Sequence, residues 1–119
     1  MLQRYYTHEC PKQEDRCPPW LFSSSVKTIT INARGDTVAD KPTFRSVFKK
    51  RRCLVLADGY YEWLREGKAK LPHLYELDDG RPFALAGLWE GDTCTVITTD
   101  ANELAVRVHD RMPAILPIY

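Results

Sequence analysis

From Arg52 to Thr99 the chain repeatedly breaks apolar, aromatic and β-branched runs with short glycine-bearing turns, and that punctuation limits it to an antiparallel sheet assembled from hairpins. Gly67 sits in a polar loop over residues 65–70, followed by a returning strand over 73–77. Asp79-Gly80 marks the next turn, and Gly91-Asp92 joins a strand over 83–90 to one over 93–99. Residues 52–63 are rich in Cys, Leu, Val, Tyr and Trp and read as one further strand, interrupted at Asp58-Gly59. A glycine there permits a bulge or a close approach of backbone.

Around this core the periodicity changes. Residues 26–32 alternate in strand fashion after the Ser23-Ser24-Ser25 loop. Phe44, Val47 and Phe48 stand at i, i+3 and i+4, which predicts a short amphipathic helix over 43–50 with Pro42 in its first turn. A second short helix is expected over 101–108, with Asp100 as its N-cap. Residues 1–18 are polar, contain Cys-Pro twice and show neither period, so they read as an irregular N-terminal arm ahead of a domain over 19–119. The total, about five strands and two helices, predicts an α+β fold: an antiparallel, barrel-like sheet core with short flanking helices.

Composition excludes several function classes. No apolar run approaches the roughly 18 residues that span a bilayer, and the N-terminus lacks a signal-peptide h-region, so the expectation is a cytoplasmic protein without a membrane partner. Cys53 and Cys94 lie in apolar, strand-like runs where a reduced thiol simply packs, and the spacing of Cys10 and Cys17 does not suit a metal; neither metal nor cofactor is expected. A formal net charge of +1 gives no overall pull toward nucleic acid. Locally, Arg45, Lys49, Lys50, Arg51 and Arg52 form a basic cluster that is either a phosphate-binding surface or a solvated helix end.

Individual residues carry more chemistry. Glu62 lies between Tyr61 and Trp63, so alternation gives it the face of Tyr60; desolvated there, a carboxylate serves as general acid or base, whereas on an outer face it is only a solvated edge charge. His109 is either a proton shuttle at a loop end or a helix C-terminal cation. Asn32 and Arg34, two residues apart on a strand, face the same way and suit a phosphate or a base edge, or a structural turn. Trp20 and Tyr60 are either core plugs or platforms for an unpaired base.

Several motifs occur in a fixed order: Pro19-Trp20, Thr30-Ile31-Asn32-Ala33-Arg34, the helix from Phe44, Arg51-Arg52-Cys53-Leu54-Val55-Leu56-Ala57-Asp58-Gly59-Tyr60-Tyr61-Glu62-Trp63, Ala84-Leu85-Ala86-Gly87-Leu88-Trp89, Val96-Ile97-Thr98-Thr99-Asp100-Ala101-Asn102 and His109-Asp110-Arg111-Met112-Pro113. In this combination the chain resembles the SRAP family, the SOS-response-associated proteins that recognise abasic sites in single-stranded DNA. The resemblance implies that Asn32 holds the abasic site, that Arg34 grips phosphate, that Trp20 packs against the opened strand and that Arg111 supports the site or the backbone; Tyr60, as a stacking platform, and Arg45, in the basic cluster, are further candidate DNA contacts on their own chemistry. Glu62 would transfer protons and His109 would assist opening and release of the sugar.

The family's chemistry uses an N-terminal cysteine whose amine and thiol condense with the abasic aldehyde to a thiazolidine. Position 2 here is Leu2, so the expectation is a truncated SRAP domain in which that crosslink does not form. A Schiff base from Met1 or from a lysine remains chemically open. The rival readings are a peptidase-like hydrolase and a remnant that only binds. The partner expected is single-stranded DNA carrying abasic sites, and the chain is expected to be a monomer that associates where a truncated sheet exposes its edges.

Overall fold

The computed structural model describes residues 2–4, 22, 23, 29–91 and 93–116, with side chains from residue 31 onward. In chain order the strands are β1 (Leu2–Arg4), β2 (Phe22–Ser23), β3 (Ile29–Thr30), β4 (Asn32–Arg34), β5 (Arg52–Ala57), β6 (Tyr60–Glu66), β7 (Ala69–Glu76), β8 (Phe83–Glu90), β9 (Thr93–Asp100), β10 (Arg111–Pro113) and β11 (Ile115–Leu116). Among the described residues one helix, α1 (Arg45–Lys50), and one 3-10 turn (Ala105–Arg107) accompany them. The α+β class holds, with strand pairing mostly antiparallel and the sheets open.

The larger sheet is organised by the hairpin of β8 and β9, which pair from Gly87↔Val96 to Glu90↔Thr93 and then splay apart. The chain from 111 to 116 fills the gap: β10 pairs with β9 and β11 with β8. Ala114 is the pivot, accepting from Ala86 N–H and donating to Ile97 O, both at 2.9 Å. β5 lies along the other edge of β8, and β4 runs parallel to β9. That parallel pair is a departure from the purely antiparallel core expected; it arises because residues 26–32 do not form one strand. The chain bends at Ile31, so Ile29–Thr30 pairs with Phe22–Ser23 while Asn32–Arg34 joins β9.

The smaller sheet has the order β1–β7–β6. Residues 52–63 are therefore two strands in two sheets, with Asp58-Gly59 as the passage between them. At Gly59 a Cβ would come within 3.0 Å of Tyr75 O and of Leu74 Cδ1, the close approach that the glycine makes possible. The loop expected over 65–70 shrinks to the two residues Gly67 and Lys68, with Gly67 at φ +57° as a type II′ turn requires at its first central position. Pro72 is tolerated in β7 because Glu66↔Ala69 closes the hairpin as a hydrogen-bonded pair; by alternation Trp63↔Pro72 is a non-bonded pair, so the missing N–H costs no ladder bond with β6. Residues 2–4 were expected to be irregular and instead add a strand to β7.

Two apolar clusters hold these layers. Ala33, Val38, Phe44, Val47 and Leu88 form one, with Phe48 and Ile97 against it; it fixes α1 and β4 on the larger sheet. The second joins Tyr75, Ala105, Val108 and Met112 with Tyr60, Leu64 and Leu104, and so clamps the 3-10 turn between the two sheets. The helix expected over 101–108 is only that turn. Its cap is Asn102, whose Oδ1 accepts from the N–H groups of Leu104 (3.1 Å) and Ala105 (2.9 Å). Asp100, expected in that role, ends β9 and binds Arg111 instead. On β5, Leu54 and Leu56 are 62% and 70% exposed, an apolar stripe left uncovered by the described residues.

Candidate functional site

Alternation along β6 decides the orientation of Glu62. Tyr60, Glu62 and Leu64 are each half-buried while Tyr61 and Trp63 are exposed, so the carboxylate shares the inner face with two core side chains. Its partner across the hairpin is His73, which is buried and whose Nδ1 lies 3.0 Å from Leu71 O. Glu62 Oε1 accepts from the N–H of Trp63 at 3.1 Å. Among the described residues β6 is the outer strand of its sheet, and that N–H points away from β7, so the carboxylate occupies a donor on that edge.

The second apolar cluster brings His109 to the same place. Val108 is buried against the layer that contains Tyr60 and Leu64, and the next residue emerges beside Glu62. Glu62, Trp63, Arg65, Lys70 and His109 line one cleft of about 310 Å³. Nδ1 of His109 has a partner in either protonation state. Unprotonated, it accepts from Arg111 N–H at 3.1 Å; protonated, it faces Asp110 Oδ1 at 3.2 Å.

Arg34 and Arg111 meet elsewhere, in an ion network over the end of β9. Ala33 is buried, so Asn32 and Arg34 both face solvent. Nε and Nη2 of Arg34 donate to the two carboxylate oxygens of Asp36 at 3.1 and 2.9 Å. That hydrogen bond, before any other influence, holds the Asp36 carboxyl below the usual aspartate range and raises the Arg34 guanidinium. With Asp36 depressed, the pair's contribution is present above the ordinary aspartate range and is lost as pH falls below it. Arg111 is mostly covered: Nη1 donates to Asp100 Oδ1 at 2.6 Å and Nη2 to Thr98 O at 2.8 Å, with Asp36 Oδ1 at 3.7 Å. It ties β10 to β9.

Tyr60 is placed in the core, its ring stacked on Tyr75 at 5.0 Å and 14°. One face is thus occupied before any base could reach it. Burial, then the charges of Tyr75 and Glu62, push its phenol well above the usual range. The native state therefore holds this proton more tightly than the unfolded chain, and stability is expected to fall as pH rises through about 10. Tyr60→Phe should flatten that alkaline decline in melting temperature between pH 8 and 11; a decline of unchanged steepness would assign it to other groups.

Two of the five cations of the basic cluster, Arg51 and Arg52, are committed to the fold, while Lys49 and Lys50 are exposed in the last turn of α1. Arg45 is exposed at the start of α1. Arg51 pairs with Glu90 at 3.2 Å and lies over Trp89, while Arg52 donates to Phe48 O at 2.7 Å and covers the Phe48 ring. Cys53 and Cys94 are free thiols, and burial pushes both up, away from the reactive thiolate. Trp20, Cys10 and Cys17 lie outside the described residues. Among the described residues no group of three His, Cys, Asp or Glu is placed to hold a metal, and no helix is long and apolar enough to cross a membrane.

Sequence reasoning paired Glu62 with His109 but missed Arg65 and Lys70. The signal was the two-residue turn: once Gly67-Lys68 is the whole loop, Arg65 and Lys70 become cross-strand neighbours. Asn32 does not line the cleft.

Comparison with known proteins agrees with the motif order. The family model "SOS response associated peptidase (SRAP)" matches residues 15–118. The abasic site processing protein YoqW of Bacillus subtilis is 43% identical over 109 residues, covering 83% of this chain and 49% of its own length. The abasic site processing protein HMCES of Xenopus tropicalis is 36% identical over 130 residues, covering 83% and 39%. Among solved structures, a phage-related protein of Bordetella bronchiseptica superposes with a TM-score of 0.68 at 32% identity, over 83% of this chain and 53% of that one. The chain thus spans about half the length of the relatives it matches.

Proposed function

The chain belongs to the SOS response associated peptidase family, and from that premise we propose that it binds single-stranded DNA at abasic sites and processes them in the Glu62–His109 cleft. The observation that carries this reading is the meeting of a half-buried carboxylate and an imidazole, distant in sequence, in one cleft whose remaining wall is cationic and aromatic. An abasic site is a sugar aldehyde in equilibrium with its closed ring, flanked by two phosphates. Proton transfer at the ring oxygen and at the carbons beside the aldehyde calls for an acid–base pair, and the phosphates call for cations.

The relatives named abasic site processing proteins support this substrate class. Exposed Tyr61 and Trp63, with ring centroids 6.2 Å apart, offer stacking surfaces for unpaired bases next to Arg65 and Lys70. Arg34 adds a phosphate contact on the face it shares with Asn32, and Arg45 extends the cationic surface. Burial raises both described thiols, Cys53 and Cys94, which disfavours the thiolate that a cysteine peptidase uses.

Fluorescence anisotropy with a labelled single-stranded oligonucleotide containing one abasic site tests the assignment. Affinity should fall steeply between 50 and 200 mM salt, by roughly tenfold or more if two or more phosphates are neutralised. Asp36→Asn should strengthen binding and steepen the salt slope by up to about one, because it releases Arg34 from its carboxylate partner. Affinity that is flat with salt and equal for abasic and intact strands would overturn the assignment.

A further inference from the structure

We propose that Lys70 supplies the amine that condenses with the abasic aldehyde in this cleft, an inference that rests on the abasic-site reading above. Of the described lysines, Lys41, Lys49 and Lys50 belong to the turn before α1 and to its last turn, and Lys68 occupies the hairpin turn. Lys70 is the one that lines the cleft with Glu62 and His109. The register of the hairpin puts it opposite Arg65, so one wall offers a primary amine beside a guanidinium suited to the flanking phosphate. Lys70 is exposed, as a group that must meet a polymer substrate has to be.

The chemistry needs nothing beyond the cleft and water. The Glu62–His109 pair takes a proton from the Nζ ammonium, and the freed lone pair attacks C1′ of the ring-opened sugar, forming the C–N bond while that proton passes to the carbonyl oxygen. Loss of that oxygen as water gives the protonated imine. The carboxylate or the imidazole then removes a proton from C2′, the electron pair forms the C2′–C3′ double bond, and the C3′–O bond breaks to release the 3′ phosphate. Hydrolysis of the imine returns the amine and frees the unsaturated aldehyde. No oxidant or reductant takes part.

The whole chain is incubated with a single-stranded oligonucleotide carrying one abasic site, with sodium borohydride added to reduce any imine to a stable amine, and the adduct is resolved on a denaturing gel and mapped by mass spectrometry. The expected result is a borohydride-dependent band whose modified peptide carries the sugar on Lys70. Lys70→Arg keeps the positive charge but lacks the amine; it should lower trapping by about tenfold or more, while Lys68→Arg leaves it unchanged. Anisotropy with the same strand should move by no more than roughly threefold for Lys70→Arg, since its phosphate attraction survives. An adduct on another amine, or full trapping by Lys70→Arg, overturns the assignment to Lys70 and leaves the abasic-site reading standing. So does strong abasic-strand binding with no borohydride-trapped product. Failure of the unmodified chain to prefer abasic DNA overturns the abasic-site reading and this inference with it.

Discussion

Glu62→Gln is expected to slow abasic-site processing by about 10²–10⁴-fold in a single-turnover cleavage assay while leaving affinity for the abasic strand within a few-fold. The amide keeps the volume of the carboxylate on the half-buried face between Tyr60 and Leu64, and its oxygen still accepts from Trp63 N–H. What it loses is the ability to take up and release a proton. His109→Ala should act in the same direction, because the imidazole shares the cleft and has an anchor in both protonation states. The double variant should lose little beyond the larger single loss if the two residues serve one transfer, and the sum of both if they serve separate steps. An unchanged cleavage rate in Glu62→Gln would remove the carboxylate from the chemistry and leave it as an edge-capping group.

Much of this arrangement is legible in the residues because β alternation is a local rule. Tyr60, Glu62 and Leu64 follow from period 2, and the hairpin of β8 and β9 follows from Gly91-Asp92. The failures are non-local. Nothing in residues 26–32 announces that the chain bends at Ile31 and that Asn32–Arg34 then runs parallel to a strand some sixty residues away. Residues 101–108 carry helix-compatible apolar spacing, yet the segment is clamped between two sheets and capped by Asn102 rather than Asp100, which leaves room for a single 3-10 turn. Charge roles were the least readable. Arg34, Arg51, Arg52 and Arg111 look alike as letters, and only their partners separate a guanidinium that faces solvent from one spent on holding strands together. Arg65 and Lys70 were missed because a loop was expected where a two-residue turn stands.

Leu88→Ala carries the largest expected stability effect. Its side chain is fully buried, with 0% exposure, in the cluster of Ala33, Val38, Phe44 and Val47, so truncation removes buried methyl groups and leaves a cavity that the rigid pair β8–β9 closes poorly. The loss should be about 2–5 kcal/mol, a large share of the roughly 5–15 kcal/mol that holds a domain together. A urea melt should show a lower midpoint with an unchanged slope. The two apolar clusters then make a sharper point. Leu88 anchors α1 and β4, whereas the cleft is positioned by the separate cluster around Tyr75, Val108 and Met112. Below its melting temperature, Leu88→Ala should therefore keep the borohydride-trapped yield and the cleavage rate while weakening salt-sensitive binding through Arg34 and Arg45. Val108→Ala should do the reverse, with a smaller drop in stability and a larger loss of rate, because it loosens the segment that delivers His109. Equal losses of rate in both variants would show that the clusters behave as one core and that the cleft has no independent support.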